Sequence, residues 1–404
     1  MTTNYRELAE GSKQKKASLG TDIDIAAYAA LASDRKQLQS LNELPSGEQA
    51  LLTQAGFDST TEKRSGSYLL MDHSVCYEKS SASGLEVLDI RDALEKYDGL
   101  SNYYWKAVSV DADKYTANAE LRIDGGYFIR VAAGTQIDYP LQSCLFMTLD
   151  ESSQRVHNII IVEEEAHLKV LSGCVTSALT GLHLGVSEFF IEKNASLTFT
   201  MIHNWAENIE VRPRTVTIVE EGGSFTSNYV ALRPVKSVQM APKTYLRGKG
   251  ASARLSSVLY AHPGSELDIG GEILLEAPNT SGEIISRAIT AGGKIWARGR
   301  LVGDAPGVRA RMQCDGLLLT KEAIGFIDAI PELQACHPEV EMSHEAALGR
   351  VGAEEVEYLM ARGLTEDEAT ALIIRGFLDI GIEGIGPELA TEIEEIVKES
   401  AKGL

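Results

Sequence analysis

The densest group of potential metal ligands in this chain is the ten-residue segment from Cys336 to Glu345. It contains the thiol of Cys336, the imidazoles of His337 and His344, and carboxylates that end with Glu345. A soft thiolate beside imidazole and carboxylate donors suits iron or an iron–sulfur species, and borderline metals as well. The Cys-x7-His spacing matches no standard motif, so a structural interpretation stays open, in which Cys336 is packed and Ser343 caps a helix.

The remaining cysteines, Cys76, Cys144, Cys174 and Cys314, are widely spaced and form no CxxC pair. A total of five thiols without pairs argues against a disulfide framework and against a self-contained zinc ribbon. We predict that most of them are small buried hydrophobic residues. Cys314 is the second choice for a metal ligand, and the other three are predicted to be dispensable.

The sequence contains no Walker A loop, GxSxG, HExxH or GxGxxG motif, which argues against hydrolase, kinase and dehydrogenase functions. It also shows no paired carboxylates of the kind that glycoside cleavage requires, so a carbohydrate-active enzyme is the weakest alternative. We therefore expect a protein that is not itself an enzyme.

The net charge of −20 would repel phosphate backbones and anionic membrane surfaces. No apolar stretch is long enough to span a membrane, and the first twenty residues lack an apolar signal region. The segment Gly384–Ala390 is similar to the turn of a helix-hairpin-helix DNA binder, but its acidic flanks favour a plain junction between helices. We expect a cytoplasmic protein that binds neither nucleic acid nor membrane.

The segment Cys336–Glu345 follows a part of the chain in which turns repeat with a fixed period. Small residues recur in turns at intervals of 14 or 28, at Ala195, Gly223, Ala251, Ser265, Gly293 and Gly307. Such a period indicates stacked, nearly identical coils, and β-rich segments between the turns predict a parallel β-helix. An antiparallel sandwich is the alternative. Arg287 lies in an apolar strand, and an outward, solvated side chain is favoured over a paired one in the lumen.

The flanks of the repeat are predicted to be helical. We divide the chain into a mainly helical N-terminal region (1–110), a β-helix core (111–340) and a C-terminal helical region (341–404). The N-terminal region has a helix pattern over residues 21–41 and another over 88–96, and a β pattern begins at Glu120–Ile123. In the C-terminal region a helix is predicted to begin at Ser343, and Thr365–Glu368 forms a capping box.

The chain resembles the SufB/SufD family, the scaffold subunits of the SUF iron–sulfur cluster assembly system. The resemblance is distributed over residues 117–380, and its most specific part lies toward the C-terminus. The segments that carry it include Gly125–Ile129, Asn204-Trp205, Gln313-Cys314-Asp315, Ser343–Ala346 and Arg362-Gly363.

The resemblance implies a right-handed parallel β-helix flanked by helical regions. It also implies that two scaffolds pair through their β-helices and that an iron–sulfur cluster is built near their interface. The C-terminal helices would dock on an ABC-type ATPase, SufC. Family position and ligand chemistry together select Cys336, His344 and Glu345 as the cluster site, with Cys314 as a further ligand candidate.

Two departures from the family pattern leave the role open. SufB-type proteins carry a cysteine in the stretch that corresponds to residues 320–325, and this chain has none there. Ser343-His344 follows the SufD pattern, whereas Glu345 follows the SufB pattern. The chain is therefore either a SufD-like structural partner that holds no cluster or a hybrid scaffold that forms a homodimer, in which Cys336 replaces the missing thiol.

Overall fold

Each turn of the chain adds one layer to both of two facing sheets. A computed structural model describes residues 4–30, 34–57, 63–319 and 325–378. Its strands form a β-solenoid of about seven turns with helices near both termini. Apart from the antiparallel pairs at the N-terminal end, neighbouring strands are parallel, which confirms the β-helix and excludes the sandwich.

We call the two sheets sheet 1 and sheet 2. In their H-bonded order, the strands of sheet 1 are β2 (Ser74–Ser80), β1 (Gly66–Met71), β5 (Leu141–Met147), β7 (His167–Thr176), β9 (Ser196–Asn204), β12 (Ser224–Ala231), β15 (Ser252–Ala261), β18 (Ser281–Thr290), β20 (Arg309–Leu318) and β22 (Glu341–Gly349). The strands of sheet 2, in chain order, are β3 (Leu85–Asp89), β4 (Tyr127–Val131), β6 (Ser152–Val162), β8 (Thr180–Ile191), β10 (Asn208–Val211), β11 (Arg214–Val219), β13 (Ser237–Met240), β14 (Lys243–Leu246), β16 (Glu266–Ile269), β17 (Glu272–Leu275), β19 (Lys294–Gly303) and β21 (Phe326–Ala335).

The corners between sheet 2 and sheet 1 repeat with the period that the sequence predicts. Strand partners in successive coils lie 28 or 29 positions apart, as in Asn228 with Thr200 and Ser172 with Ser143. One residue in each corner has a left-handed backbone with φ between 54° and 71°, and these residues are Glu165, Asn194, Gly222, Gly250, Asn279 and Gly307. Glycine and asparagine tolerate this conformation best, so the composition of the turns follows from the geometry of the corner.

The lumen between the sheets holds the largest hydrophobic core. Alternate residues of each strand point inward, and side chains from the two sheets meet across the lumen, as Phe189 of β8 and Phe199 of β9 do with ring centroids 4.8 Å apart. The outward residues of the early coils are buried too, because flanking segments cover them.

The described residues form six α-helices, which lie outside the lumen. They are α1 (Tyr5–Ser12), α2 (Ser46–Gln54), α3 (Ile90–Lys96), α4 (Lys114–Leu121), α5 (Ala353–Met360) and α6 (Glu366–Leu378). The α3 and α4 helices pack on the outer face of sheet 2, whereas α2 and α6 contribute to a cluster on the outer face of sheet 1. The N-terminal flank therefore covers parts of both outer faces, the C-terminal flank covers part of the outer face of sheet 1, and the lumen is left to the strands.

Several sequence predictions for the flanks are confirmed. Most of the 88–96 pattern is helical, as α3. At the start of α6 the Thr365 hydroxyl accepts from the Glu368 backbone N–H at 3.3 Å, while the Glu368 carboxylate accepts from the Thr365 N–H at 2.8 Å. This reciprocal pair is the predicted capping box.

Other predictions for the flanks are wrong. In the described part of residues 21–41 only two short 3-10 turns form, Ile25–Ala27 and Leu41–Glu43, because the segment follows the solenoid surface in an extended path. Glu120 and Leu121 end the α4 helix rather than beginning a strand, because Asp113 caps that helix. The N-terminal region also contributes strands β1 to β3, and β1 pairs in parallel with β5.

The largest correction concerns Ser343, which begins no helix. Residues Glu341–Gly349 form strand β22, the last strand of sheet 1, so helical structure resumes only at Ala353. In-register pairing with β20 overrides the local helix preference of the Ala-rich segment. Residues 379–404 of the predicted C-terminal helical region, including the Gly384–Ala390 turn, lie outside the described residues. Among the described helices, none is both long and apolar enough to cross a bilayer.

Candidate functional site

The last coil of the solenoid, β21 and β22, has no further coil stacked on it among the described residues. Most of its side chains are exposed, including the apolar Phe326, Leu333 and Leu348, which are 37%, 38% and 45% exposed. The backbone groups on the free edges of these strands are available for pairing. Pro331 interrupts one edge, since proline has no N–H to donate.

The predicted ligands of this coil point in different directions. His344 pairs with Met312 of β20, whose side chain is buried in the lumen, so His344 faces the lumen as well. Its Nε2 atom is shielded from solvent and has no hydrogen-bond partner among the described residues. Glu345 pairs with Gln313 and faces the outside of sheet 1, where it is exposed.

The two candidate thiols differ in access. Cys336 lies at the corner after β21, where its backbone N–H donates to the Gly303 carbonyl at 2.8 Å, and it is exposed. Cys314 lies in β20, is only 2% exposed and faces the lumen, where it is the next inward residue after Met312, the strand partner of His344. Burial raises the pKa of the Cys314 thiol to about 11, so a metal would have to displace the thiol proton to bind there.

A single chain does not assemble these donors. Across the described ranges, no three His, Cys, Asp or Glu side chains lie close enough together to hold a metal ion. Cys336, His344 and Glu345 thus share the last coil but not one cavity. A complete ligand set requires either movement of the coil or side chains from a second chain.

An ion pair that the sequence did not predict lies on the outer face of sheet 1 beside this coil. Arg287 points outward, as expected, but it is not freely solvated, because it contacts Asp315 of the next strand and lies under the ring of Phe377 at 5.4 Å. The Gln313 amide also donates to Asp315 at 2.8 Å. Burial lowers the pKa of Arg287. Helix α6 therefore contacts, through Phe377 and Arg287, the outward side chains of sheet 1 that include Gln313, the strand partner of Glu345.

A second set of side chains lies inside the lumen, where the sequence predicted only packing. Cys174 of β7 and His203 of β9 are register partners, and the Cys174 Sγ lies 3.7 Å from the Met201 Sδ. The His203 Nδ1 lies 2.8 Å from the Tyr229 hydroxyl. The repeat period was the signal that could have found this set, since positions 174 and 203 occupy equivalent places in successive coils.

The two C-terminal helices present a partly apolar surface. No residue of α5 is buried, and Tyr358, Met360 and Leu372 are 57%, 42% and 48% exposed. The Arg362 guanidinium lies over the Tyr358 ring at 4.3 Å. Ile374 and Leu378 face the other way and pack on the solenoid. Phe377 is half-buried over Arg287.

These features define a parallel β-solenoid protein in which the last described coil is uncovered and bears the candidate ligands, with an exposed helical pair after it. Residues 145–377 match the family model described as SUF system FeS cluster assembly, SufBD core domain. The chain belongs to the SufBD family, which confirms the resemblance found in the sequence.

Similar proteins cover nearly the whole chain. An iron–sulfur cluster assembly SufBD family protein homolog of Methanothermobacter thermautotrophicus (strain Winter) is 41% identical over 404 residues, 98% of each chain. A SufBD family protein of Archaeoglobus fulgidus is 46% identical over 354 residues, which are 87% of this chain and 95% of the relative. The iron–sulfur cluster assembly protein SufB of Bacillus subtilis is 28% identical over 394 residues, 95% of this chain and 84% of the relative.

Proposed function

We propose that this chain is a cytoplasmic scaffold on which an iron–sulfur cluster is assembled and then passed on. The observation that carries the proposal is the last coil, which bears Cys336, His344 and Glu345 on a part of the solenoid that is open to a second chain. The family model and the name of the Bacillus subtilis relative both refer to iron–sulfur cluster assembly, and they support this role.

The cluster would lie at the free edge of the last coil, between two copies of the chain. His344 and Glu345 emerge from opposite faces of β22, so both can approach one cluster only where their side chains converge beyond the strand edge. A two-fold interface presents each residue twice, and the second copy would supply the donors that one chain lacks. The cluster is the cargo of such a scaffold.

The chain would not be an enzyme, and ATP hydrolysis would belong to a SufC-like ABC-type ATPase. The exposed apolar surface of α5 and α6 is the proposed docking site for that partner. Because α6 also contacts Arg287 through Phe377, a force on the helix would reach the outer face of the last strands.

A second candidate function is a SufD-like partner subunit that supports the complex and holds no cluster. It is favoured by the lack, within the described part of one chain, of any three ligand side chains grouped around a metal position. In that case the last coil would pair with a different scaffold subunit that provides the ligands.

Iron and sulfide analysis separates the two functions. The purified chain is reconstituted anaerobically with iron and sulfide, desalted, and analysed for both elements together with its absorption spectrum. A scaffold retains iron and sulfide in similar amounts and shows sulfide-to-iron charge-transfer bands. A chain that retains neither after desalting, while still folded by circular dichroism, would support the SufD-like function instead.

A further inference from the structure

The lumen contains a small cavity in its middle coils, far along the chain from the last coil. Its volume is about 50 Å³, enough for a species of the size of one or a few water molecules. It lies between β7, β9 and β12 on one side and β8 and β11 on the other. The residues that line it are apolar or neutral and polar, and none of the described lining residues is Asp, Glu, Lys or Arg.

Two soft sulfur donors, from Cys174 and Met201, and the imidazole of His203 line this cavity from the adjacent strands β7 and β9. Cys174 and His203 are register partners on neighbouring strands, which lie about 4.8 Å apart in a sheet, and both face the lumen. The Met201 thioether is 3.7 Å from the Cys174 thiol. His183 lines the cavity from the opposite sheet, and the Trp205 ring lies beside both histidines with centroid distances of 5.1 and 5.5 Å.

A hydrogen-bond partner that could orient the His203 imidazole toward a metal is also present. The Tyr229 hydroxyl lies 2.8 Å from the Nδ1 of His203, so that Nδ1–H can donate to it and leave the Nε2 lone pair free for a ligand. His183 and His203 are both buried, and the described lining of the cavity offers no carboxylate that would stabilise an imidazolium. Both imidazoles are therefore neutral, which is the form that binds metals.

The charge balance of the cavity selects the ion. Binding to Cys174 replaces the thiol proton, so a monovalent cation leaves the site neutral overall. A divalent cation would leave one uncompensated positive charge in an apolar lumen, where no lining carboxylate could balance it. Thiolate, thioether and imidazole donors favour soft cations such as copper(I).

We propose that Cys174, Met201 and His203 form a binding site for a single soft monovalent cation, copper(I), inside the lumen. The Cys174 S–H bond breaks and a sulfur–copper bond forms, the proton leaves to solvent, and no electron is transferred. Met201 and the His203 Nε2 complete a three-coordinate site. The residues of this site are separate from the cluster residues of the last coil, so the proposal does not depend on cluster assembly.

The test uses the full chain with Cys336→Ser, which removes the one cysteine that is exposed. Copper(I) is supplied anaerobically as its complex with bathocuproine disulfonate, whose absorbance reports transfer to the protein. We expect one copper(I) per chain and a near-ultraviolet thiolate-to-copper band. Adding Cys174→Ser should abolish both signals, whereas adding Cys144→Ser, which changes a buried cysteine on the outer side of β5, should preserve them.

A second variant keeps the test independent of folding. Met201→Leu preserves core volume, and it should weaken copper(I) binding by roughly tenfold or more because one donor is lost. Circular dichroism verifies the fold of each variant. The proposal is overturned if the Cys336→Ser protein takes no copper(I) from the chelator. It is also overturned if the folded Cys174→Ser variant binds the same amount of copper(I), or if Met201→Leu binds it with the same affinity.

Discussion

At the scale of single residues, the alternation of β22 constrains the proposed cluster site. His344 and Glu345 are adjacent in sequence but lie on opposite faces of sheet 1. A cluster on the lumen face would be reached by His344 and not by Glu345, whereas a cluster on the outer face would be reached by Glu345 alone. Replacement of each residue by Ala therefore reports the position of the cluster: losses in both variants indicate the strand edge, and a loss in only one indicates a face.

The exposed thiol of Cys336 is the proposed anchor of the cluster. We predict that Cys336→Ser abolishes the retention of reconstituted iron and sulfide, because serine removes the one exposed cysteine thiol and leaves the fold intact. Iron and sulfide analysis after desalting measures the effect, and Cys144→Ser is the matched control. Unchanged iron and sulfide in the Cys336 variant would refute the assignment and direct attention to Cys314.

The two buried histidines of the lumen predict a pH dependence of stability. The pKa of His203 falls from 6.5 in its ordinary state to about 3 in the folded protein. Because the unfolded chain binds this proton first, the stabilising contribution is complete above about pH 6.5 and is lost as the pH falls toward 3.

We predict that His203→Gln reduces the slope of unfolding free energy against pH by up to about 1.4 kcal/mol per pH unit between roughly pH 6 and pH 4. Urea unfolding curves at several pH values measure the slope. His167→Gln is the control, because His167 is exposed and should leave the slope unchanged. Equal slopes in the wild-type and His203→Gln proteins would contradict the prediction.

At the scale of elements, the solenoid depends on the close approach of successive corners. A Cβ atom added to Gly248 would overlap the backbone of Glu220 and Glu221 in the preceding coil, and that backbone cannot move without shifting the corner. A Cβ added to Gly250, two residues later, would meet no atom within 4 Å, although its φ of +71° disfavours other residues.

Substitutions at these two glycines distinguish the cost of steric overlap, at Gly248, from the cost of a left-handed backbone, at Gly250. We predict that Gly250→Ala lowers the unfolding free energy by about 1 kcal/mol, because only the left-handed conformation is penalised. Gly248→Ala should lower it by roughly 2 kcal/mol more, because the coils must move apart. Chemical denaturation of both variants measures the difference. Equal losses of unfolding free energy would contradict the prediction and show that the corner accommodates the Cβ of residue 248 without destabilisation.

The helical pair α5–α6 offers a test of the proposed ATPase contact that spares the fold. Tyr358 and Leu372 are exposed, so Tyr358→Asp and Leu372→Asp should leave the solenoid stable while placing a charge in an apolar interface. We predict that either change reduces co-purification with a SufC-like ATPase at least tenfold, as a cost of about 1.4 kcal/mol would. Leu179→Asp, at an exposed corner, is the control, and retained binding by both helix variants would place the contact elsewhere.

The sequence predicts the elements where the repeat is regular and fails where it is interrupted. Residues 165–307 keep their left-handed corner at intervals of 28 or 29, and the parallel β-helix follows from that interval. Between β20 and β22 the register partners Arg309 and Glu341 are 32 positions apart, so the period no longer identifies the strand. Local helix preference then points to a helix at Ser343, and only pairing with β20 reveals the strand.

The candidate site was predictable in its residues and not in its geometry. The chemical types of Cys336, His344 and Glu345 mark the segment, but the face of each side chain depends on the strand register. The lumen set of Cys174, Met201 and His203 was missed because the residues are far apart in sequence and each is an ordinary core residue by itself. Their proximity arises only when the coils are stacked.

At the scale of the whole molecule, the two ends of the solenoid differ. The N-terminal end is closed by the antiparallel pairs β1–β2 and β3–β4 and by the helices that pack beside them. Within the part of the chain that the structure describes, the C-terminal end leaves two strand edges unpaired and exposes the apolar side chains of Leu333 and Leu348 at its lumen opening. Open edges of this kind invite pairing with another chain unless they are covered.

We predict that the isolated chain is a homodimer joined through its last coil. Leu333→Lys combined with Leu348→Lys places two cations per chain in the contact and, by two-fold symmetry, brings like charges together, so this variant should be monomeric. Leu179→Lys alters a leucine that is 70% exposed at a distant corner, and it should remain dimeric. Light scattering at micromolar concentration distinguishes the two states. A wild-type chain that is strictly monomeric, and that dimerises only when a different scaffold subunit is added, would refute the homodimer and support the SufD-like function.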